Sequence, residues 1–233
     1  MDVNTMSVFL NHKNALLQSA IKSGDYNLVH LLEQCKADPN TTDNYGFTPL
    51  YEASKNGYIE IIELLIRYGA QPNQDSLTLD KNLHYIGPGF EIDNMTPLHC
   101  AVKHGLLETA EVLISHGASV NVQSNQEEVV DVNCVPSTPL ISAVENKAYE
   151  MVELLIKNGA EINAKPIEDD WTALQYAVDN QDTRMKELLI KYGADVNMIN
   201  DDDDGDDENF EDDDEYNVDN LKDVLQKIQM DVE

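Results

Sequence analysis

The chain has 233 residues and a formal net charge of −29, from 44 Asp and Glu against 15 Lys and Arg. A surface this acidic repels DNA, RNA and anionic lipid headgroups and attracts basic proteins, which argues against nucleic-acid or membrane-surface partners. Cys35, Cys100 and Cys134 are odd in number and lack C-x-x-C or other ligand spacing, so neither a disulfide framework nor a zinc site is expected, and a reducing compartment fits best.

From the N-terminus, apolar spacing predicts a helix over Asn14 to Lys22, carrying Ala15, Leu16, Ala20 and Ile21. Gly24 breaks it, and a second helix follows over Tyr26 to Gln34 with Leu28, Val29, Leu31 and Leu32. Residues 1–45 form this first unit, which closes on the turn chemistry of Asp43-Asn44-Tyr45-Gly46. In the unit 46–75, Leu50, Ala53 and Ser54 face inward on a first helix, Gly57 turns the chain, and Ile59, Ile61, Ile62, Leu64, Leu65 and Ile66 make a second helix buried on most sides. Units 94–123, 136–165 and 168–199 restate that second helix with Val112, Leu113, Ile114, then Val152, Leu154, Leu155, Ile156, then Met185, Leu188, Leu189, Ile190. Extra length falls at 76–93 and 124–135, with Gly87-Pro88-Gly89 a turn in the first stretch; these are tolerated surface insertions or binding fingers. Residues 200–217 are dominated by like charge and are expected to be disordered, and 218–233 read as a short amphipathic helix with Val218, Leu221, Val224, Leu225 and Ile228 apolar.

The units share more than helix spacing. Thr48-Pro49-Leu50, Thr96-Pro97-Leu98, Thr138-Pro139-Leu140 and Thr172-Ala173-Leu174 open them, and Gly69-Ala70, Gly117-Ala118, Gly159-Ala160 and Gly193-Ala194 close them, each Gly 21 residues after its Thr. Three residues after each Ala stands Asn73, Asn121, Asn163 or Asn197. The phrase T-P-L-H-x-A is complete at Thr96-Pro97-Leu98-His99-Cys100-Ala101, and with these spacings the chain resembles the ankyrin repeats, whose unit of about 33 residues is a β-turn plus two helices. The resemblance implies an all-α solenoid of five ankyrin repeats, a β-turn and an antiparallel helix pair in each, with an atypical capping repeat at the N-terminus and a disordered acidic C-terminal tail.

No catalytic constellation emerges. His99 and His104 are not the i, i+4 pair of H-E-x-x-H, and there is no G-x-S-x-G, Walker loop or G-x-G-x-x-G. The resemblance gives His99 a structural role instead, as a hydrogen-bonding residue at the start of a first helix. The chain therefore reads as a non-enzyme without metal or cofactor, soluble, cytoplasmic or nuclear, since no basic n-region and apolar run mark Met1 to Leu10 as a signal.

Ankyrin proteins bind partners through the turn tips and the inner face of the first helices, and the resemblance places those positions here. The tips are Asn44, Tyr45 and Phe47, with Met95, Ser137 and Trp171 immediately before Thr96, Thr138 and Thr172; the inner-helix positions are Lys55 and Asn56, Lys103 and His104, Glu145 and Asn146, Asp179 and Asn180. Tyr45, Phe47 and Trp171 are candidate anchors, because interface energy concentrates in large aromatics; the plainer account of Trp171 is packing against a neighbouring turn. Family glycines are missing in places. Asn94, Pro136 and Asp170 replace the turn Gly, and Lys147 and Gln181 replace the Gly between helices, so these turns are expected to be altered or mildly strained.

The functional reading is a monomeric protein-interaction module, an adaptor or scaffold holding one partner. A second reading rests on residues 201–233, which hold 16 Asp and Glu against Lys222 and Lys227, a net −14 out of the −29. Acid runs broken by Phe210 and Tyr216 look like segments that shield basic clients such as histones or ribosomal proteins. A third, a substrate-recruiting subunit of a ubiquitin ligase, lacks any recognisable SOCS-type or F-box-type segment.

Overall fold

The computed structural model describes residues 3–43, 46–75, 95–123, 137–166 and 171–200, with side chains from His12 to Met198. Among them are α1 (Val3–Lys22), α2 (Tyr26–Gln34), α3 (Pro49–Asn56), α4 (Ile59–Arg67), α5 (Pro97–Lys103), α6 (Leu107–Ser115), α7 (Pro139–Glu145), α8 (Tyr149–Lys157), α9 (Ala173–Asp179) and α10 (Thr183–Lys191), then a 3₁₀ helix at Val196–Asn200. No strand occurs among the described residues. The chain is an all-α repeat stack, as the periodicity predicts.

Each first helix from α3 on starts in the same way. Thr48, Thr96, Thr138 and Thr172 are extended, and their hydroxyls accept the backbone N–H of Tyr51, His99, Ile141 and Gln175 three residues on. Pro follows at Pro49, Pro97 and Pro139, where the missing N–H costs nothing and the fixed φ suits a helix start. These helices end in a left-handed residue whose successor donates back into the last turn, as in Tyr58 N–H to Ala53 O at 3.1 Å and Asp182 N–H to Ala177 O at 3.0 Å.

Gly57 holds that left-handed place at φ 69°, and Lys147 and Gln181 hold it at 53° and 52°. The turns at the two substituted positions are thus unaltered in path, and the residues accept a conformation that favours glycine.

The helices form two rows. α1, α3, α5, α7 and α9 pack in sequence as an inner row, while α2, α4, α6 and α8 form an outer one. Between the rows lie Leu50, Leu98, Leu140 and Leu174, each at most 2% exposed, with Ala53, Ala101, Ala143 and Ala177 fully buried one turn on. Alanine keeps the helices close at that level, and each buried Leu contributes about 1.5–3 kcal/mol. On the second helix of each repeat Leu32, Leu65, Leu113, Leu155 and Leu189 repeat the pattern.

Two features of the first repeat differ from expectation. α1 begins at Val3, not near Asn14; no Pro or Gly interrupts Val3 to Lys13, and Met6, Phe9 and Leu10 continue the helical spacing upstream. Leu16 and Leu31 are 52% and 54% exposed, since no repeat stacks in front of the first among the described residues. The stretches 76–93 and 124–135, the acidic segment 201–217, the helix expected at 218–233, and Asn94, Pro136 and Asp170 lie outside the described residues.

Candidate protein-interaction surface

The inner-helix candidates share one register. Lys55 and Asn56 close α3, Lys103 and His104 close α5, Glu145 and Asn146 close α7, and Asp179 and Asn180 close α9, and all eight are exposed. They stand just before the left-handed residue of each repeat, so the side chains form two parallel columns along the row. Partial desolvation, then the charges of Lys55 and Lys103, lower the His104 pKa from its usual value.

The residues before each Thr form a third column. Phe47 is half-buried and stacks on Tyr51 with ring centroids 4.9 Å apart at 11°. Trp171 is half-buried too, its ring meeting Tyr176 edge-on at 5.5 Å and 71°. Met95 and Ser137 occupy the same place in their repeats and are half-buried. Each aromatic thus keeps part of its surface open while an intra-repeat ring fixes its orientation. Asn44, Tyr45, Phe210 and Tyr216 lie outside the described residues.

The tip around Phe47 is held from both sides. The Phe47 N–H donates to Asp43 Oδ1 and the Asp43 N–H to the Phe47 carbonyl, each at 3.0 Å. Gln18 Nε2 on α1 donates to the carbonyls of Phe47 and Thr41, both at 3.1 Å, and Lys22 pairs with Asp43 at 3.0 Å. A tip so tied is pre-organised for contact.

His99 is a structural residue. The Thr96 backbone N–H donates to His99 Nδ1 at 3.4 Å, which leaves the proton on Nε2, and Nε2 donates to the Ser137 carbonyl at 3.3 Å. One imidazole therefore caps α5 and reaches the next repeat. Gln175 performs the capping half of this task, its Oε1 accepting the Thr172 N–H at 2.7 Å.

Sequence reasoning noted the recurring Asn but assigned it no work. Asn40 Nδ2 donates to the Gly69 carbonyl at 3.0 Å while its Oδ1 accepts the Gln71 N–H at 2.9 Å. Asn73 does the same with Gly117 and Ser119, and Asn121 with Gly159 and Glu161. Asn163 accepts from Asp195 N–H at 2.9 Å. The constant step from Gly-Ala to Asn was the signal, since a side-chain amide alone offers donor and acceptor together at that reach.

Titratable groups with strong shifts are scattered among the described residues. Burial pushes the Cys100 thiol on α5 up to about 11, and burial followed by the Asp38 charge raises Glu33 on α2 to about 7. No group of three or more His, Cys, Asp or Glu that could hold a metal occurs among the described residues, and no helix among them is long and apolar enough to cross a membrane.

The register of caps, left-handed turns and Asn bridges has a counterpart among known proteins: a family model described as ankyrin repeats (3 copies) matches residues 17–124, 76–166 and 125–200. The chain belongs to the ankyrin-repeat family. Curated relatives match over short stretches. The chain is 42% identical over 41 residues to the 26S proteasome non-ATPase regulatory subunit 10 of Dictyostelium discoideum, a span of 18% of either chain. It is 41% identical over 61 residues, 26% of its own length, to alpha-latrocrustotoxin-Lt1a of Latrodectus tredecimguttatus, where the match covers 4% of the toxin. It is 38% identical over 69 residues, 28% of its length, to BCL-6 corepressor-like protein 1 of Mus musculus, again 4% of that protein. The chain thus spans less than a fifth of each relative's own length, and what it shares with them is the repeat. An ankyrin array is a protein-interaction module, and its partners are proteins.

Proposed function

We propose that this ankyrin array is a non-catalytic adaptor or scaffold that holds a protein partner along its inner-helix row and hairpin tips. The observation that carries the reading is the recurrence of three sets of residues at fixed register in the repeats: exposed polar residues from Lys55 to Asp179, the amide and imidazole set from Asn56 to Asn180, and the half-open rings of Phe47 and Trp171. Half-open aromatics held by a neighbouring ring supply rigid contact area at small entropic cost. The relatives' roles, a proteasome regulatory subunit, a toxin and a corepressor-like protein, differ so widely that none is carried over to this chain.

The test is affinity capture from a cell lysate with the full chain and with a chain ending at Asn200, at low and moderate salt. A partner retained by both chains, and lost with Phe47→Ala and Trp171→Ala, supports the row as the working face. A second reading stays in view because residues 201–233 carry a net −14 broken by Phe210 and Tyr216: a shield for basic clients in the cytoplasm or nucleus. Capture that vanishes with those residues, or with salt, favours it over the first.

A further inference from the structure

The left-handed residue that ends every first helix, Gly24, Gly57, Gly105, Lys147 or Gln181, sets the five repeats in one register. In that register Leu16 takes the place of Pro49, Pro97, Pro139 and Ala173, all buried, and Leu31 that of Leu64, Val112, Leu154 and Leu188, all buried or half-buried. A repeat standing in front covers these places, whereas in repeat 1 Leu16 and Leu31 are 52% and 54% exposed. Ala15 and Ser19 are exposed too and Leu28 is half-buried, where repeats 2 to 5 bury the equivalents of Ala15 and Leu28 fully and those of Ser19 at least in part. Repeat 1 thus offers, from α1 and α2 together, the kind of face by which its successors stack.

The other end of the array is closed differently. Val29, Ile62, Ala110 and Val152 are fully buried in the four repeats that have a successor, and Lys186 takes their place in repeat 5, half-buried. A copy of the chain stacked behind repeat 5 would enclose that ammonium among apolar side chains, a costly burial. The chain then leaves beside α9, where the 3₁₀ helix Val196–Asn200 packs, and the net −14 of residues 201–233 follows. With helices about 8–10 Å apart, that exit lies roughly 32–40 Å from α1, several times the Debye length of about 8 Å at physiological salt.

We infer that the front of repeat 1 pairs with the front of repeat 1 in a second copy of the chain, as a two-fold dimer. Such a contact sets a surface against itself, and a fixed charge on it would repel its own copy. In a chain of net −29, none of Ala15, Leu16, Ser19, Leu28 and Leu31 is charged, and the Ser19 hydroxyl, both donor and acceptor, can pair with its own kind. Front-to-front pairing also leaves Lys186 and the acidic stretches at the two outer ends. The chain's own segment 218–233 is a poorer occupant, because residues 201–216, with twelve Asp and Glu and no Lys or Arg, would have to run back along an acidic array to deliver it. The dimer carries the partner-binding row and tips twice, so it engages a divalent partner with avidity.

Sedimentation velocity on the full chain tests this. A face two helices wide, roughly 20 Å by 15 Å, is at the small end of specific interfaces, so the dimer is expected to form with a Kd on the order of 10 µM. Leu31→Glu and Leu31→Lys should each associate at least about tenfold more weakly, and an equal mixture of the two should regain the dimer, since opposite charges then face each other. Leu31 is more than half exposed, so both variants keep the helical circular dichroism of the parent. A full chain that stays monomeric to about 200 µM, well above that Kd, overturns the inference. So does a mass that grows past the dimer, the mark of front-to-rear stacking, or a mixture no tighter than either variant alone. A monomeric parent that dimerises once Leu221→Asp/Leu225→Asp is introduced also overturns it, and names the closing segment as the occupant. Phe47 and Trp171 are not among the residues of this face, so these failures leave the adaptor reading to its own test.

Discussion

The Asn73 side chain accepts the backbone N–H of Ser119 at 2.7 Å, across 46 residues of chain and one repeat boundary. The other end of the same amide donates to Gly117. In Asn121→Ala the equivalent pair, to Gly159 and Glu161, is lost and two backbone groups are left without their partner. Stability is expected to fall by about 1–3 kcal/mol, read as a lower denaturant midpoint. Asn121→Asp keeps an acceptor for Glu161 but faces the Gly159 carbonyl with a carboxylate, so it does not restore the parent midpoint.

Glu33 stands four residues before Ala37, the place held by Ile66, Ile114, Ile156 and Ile190 in the other repeats. It is 4% exposed and its Oε1 has no hydrogen-bond partner. Its carboxyl titrates near 7 when folded and near 4.5 otherwise, so the folded chain binds the extra proton. The contribution is full below about 4.5 and is lost as pH rises through about 7, amounting to about 3 kcal/mol across the window. Glu33→Gln should show a flatter stability profile than the parent between those two values, and Glu33→Ile should be more stable than the parent at pH 8. Parallel profiles for Glu33→Gln and the parent would refute this account.

Lys147 and Gln181 adopt the left-handed conformation that Gly57 adopts without strain. Lys147→Gly and Gln181→Gly are expected to raise stability, by about 1 kcal/mol at most because glycine also loosens the unfolded chain. Gly24→Ala should do the reverse by a larger margin. Its φ is 68°, and an added Cβ would lie 3.1 Å from the Tyr58 ring.

Asp182 serves two neighbours at once. Its Oδ1 caps α10 through the Met185 N–H at 3.0 Å, and its Oδ2 accepts the Tyr149 hydroxyl of α8 at 2.9 Å, while the Arg184 guanidinium lies 4.1 Å over the Tyr149 ring. Asp182→Ala should cost about 1–2 kcal/mol from the cap alone. Asp182→Ser should recover the cap without the bridge, and Tyr149→Phe should leave the cap intact. A thermal denaturation cycle across the two sites is expected to show coupling; additive effects would mean that the hydroxyl contact contributes nothing.

Trp171→Ala removes the ring that meets Tyr176 at 5.5 Å. Because Trp171 precedes the Thr172 cap and is half-buried, the variant should keep its helical signal yet bind a captured partner at least about tenfold more weakly. Unchanged affinity would take Trp171 out of the surface.

The repeat itself is written in short-range chemistry. Thr-Pro sets a helix start, Gly-Ala a helix end, and apolar spacing the buried stripe, and all three act within a few residues, so the all-α stack was legible before any contact was known. The N-terminal extension of α1 was legible too, in Met6, Phe9 and Leu10, although its start was placed too late. Glu33 escaped notice because only alignment on Ala37 reveals that it occupies an isoleucine slot.

Amino-acid order alone determined the fold family, the repeat register and the acidic character of the chain, because caps, turns and periodicity are local. Tertiary structure decided what the equivalent positions do together. Only stacking joins Asn73 to Ser119 across 46 residues, brings His99 Nε2 to the Ser137 carbonyl, and lines up Lys55, Lys103, Glu145 and Asp179 at one register. Long-range contacts of this kind depend on how neighbouring helices pack, and no single repeat contains that information.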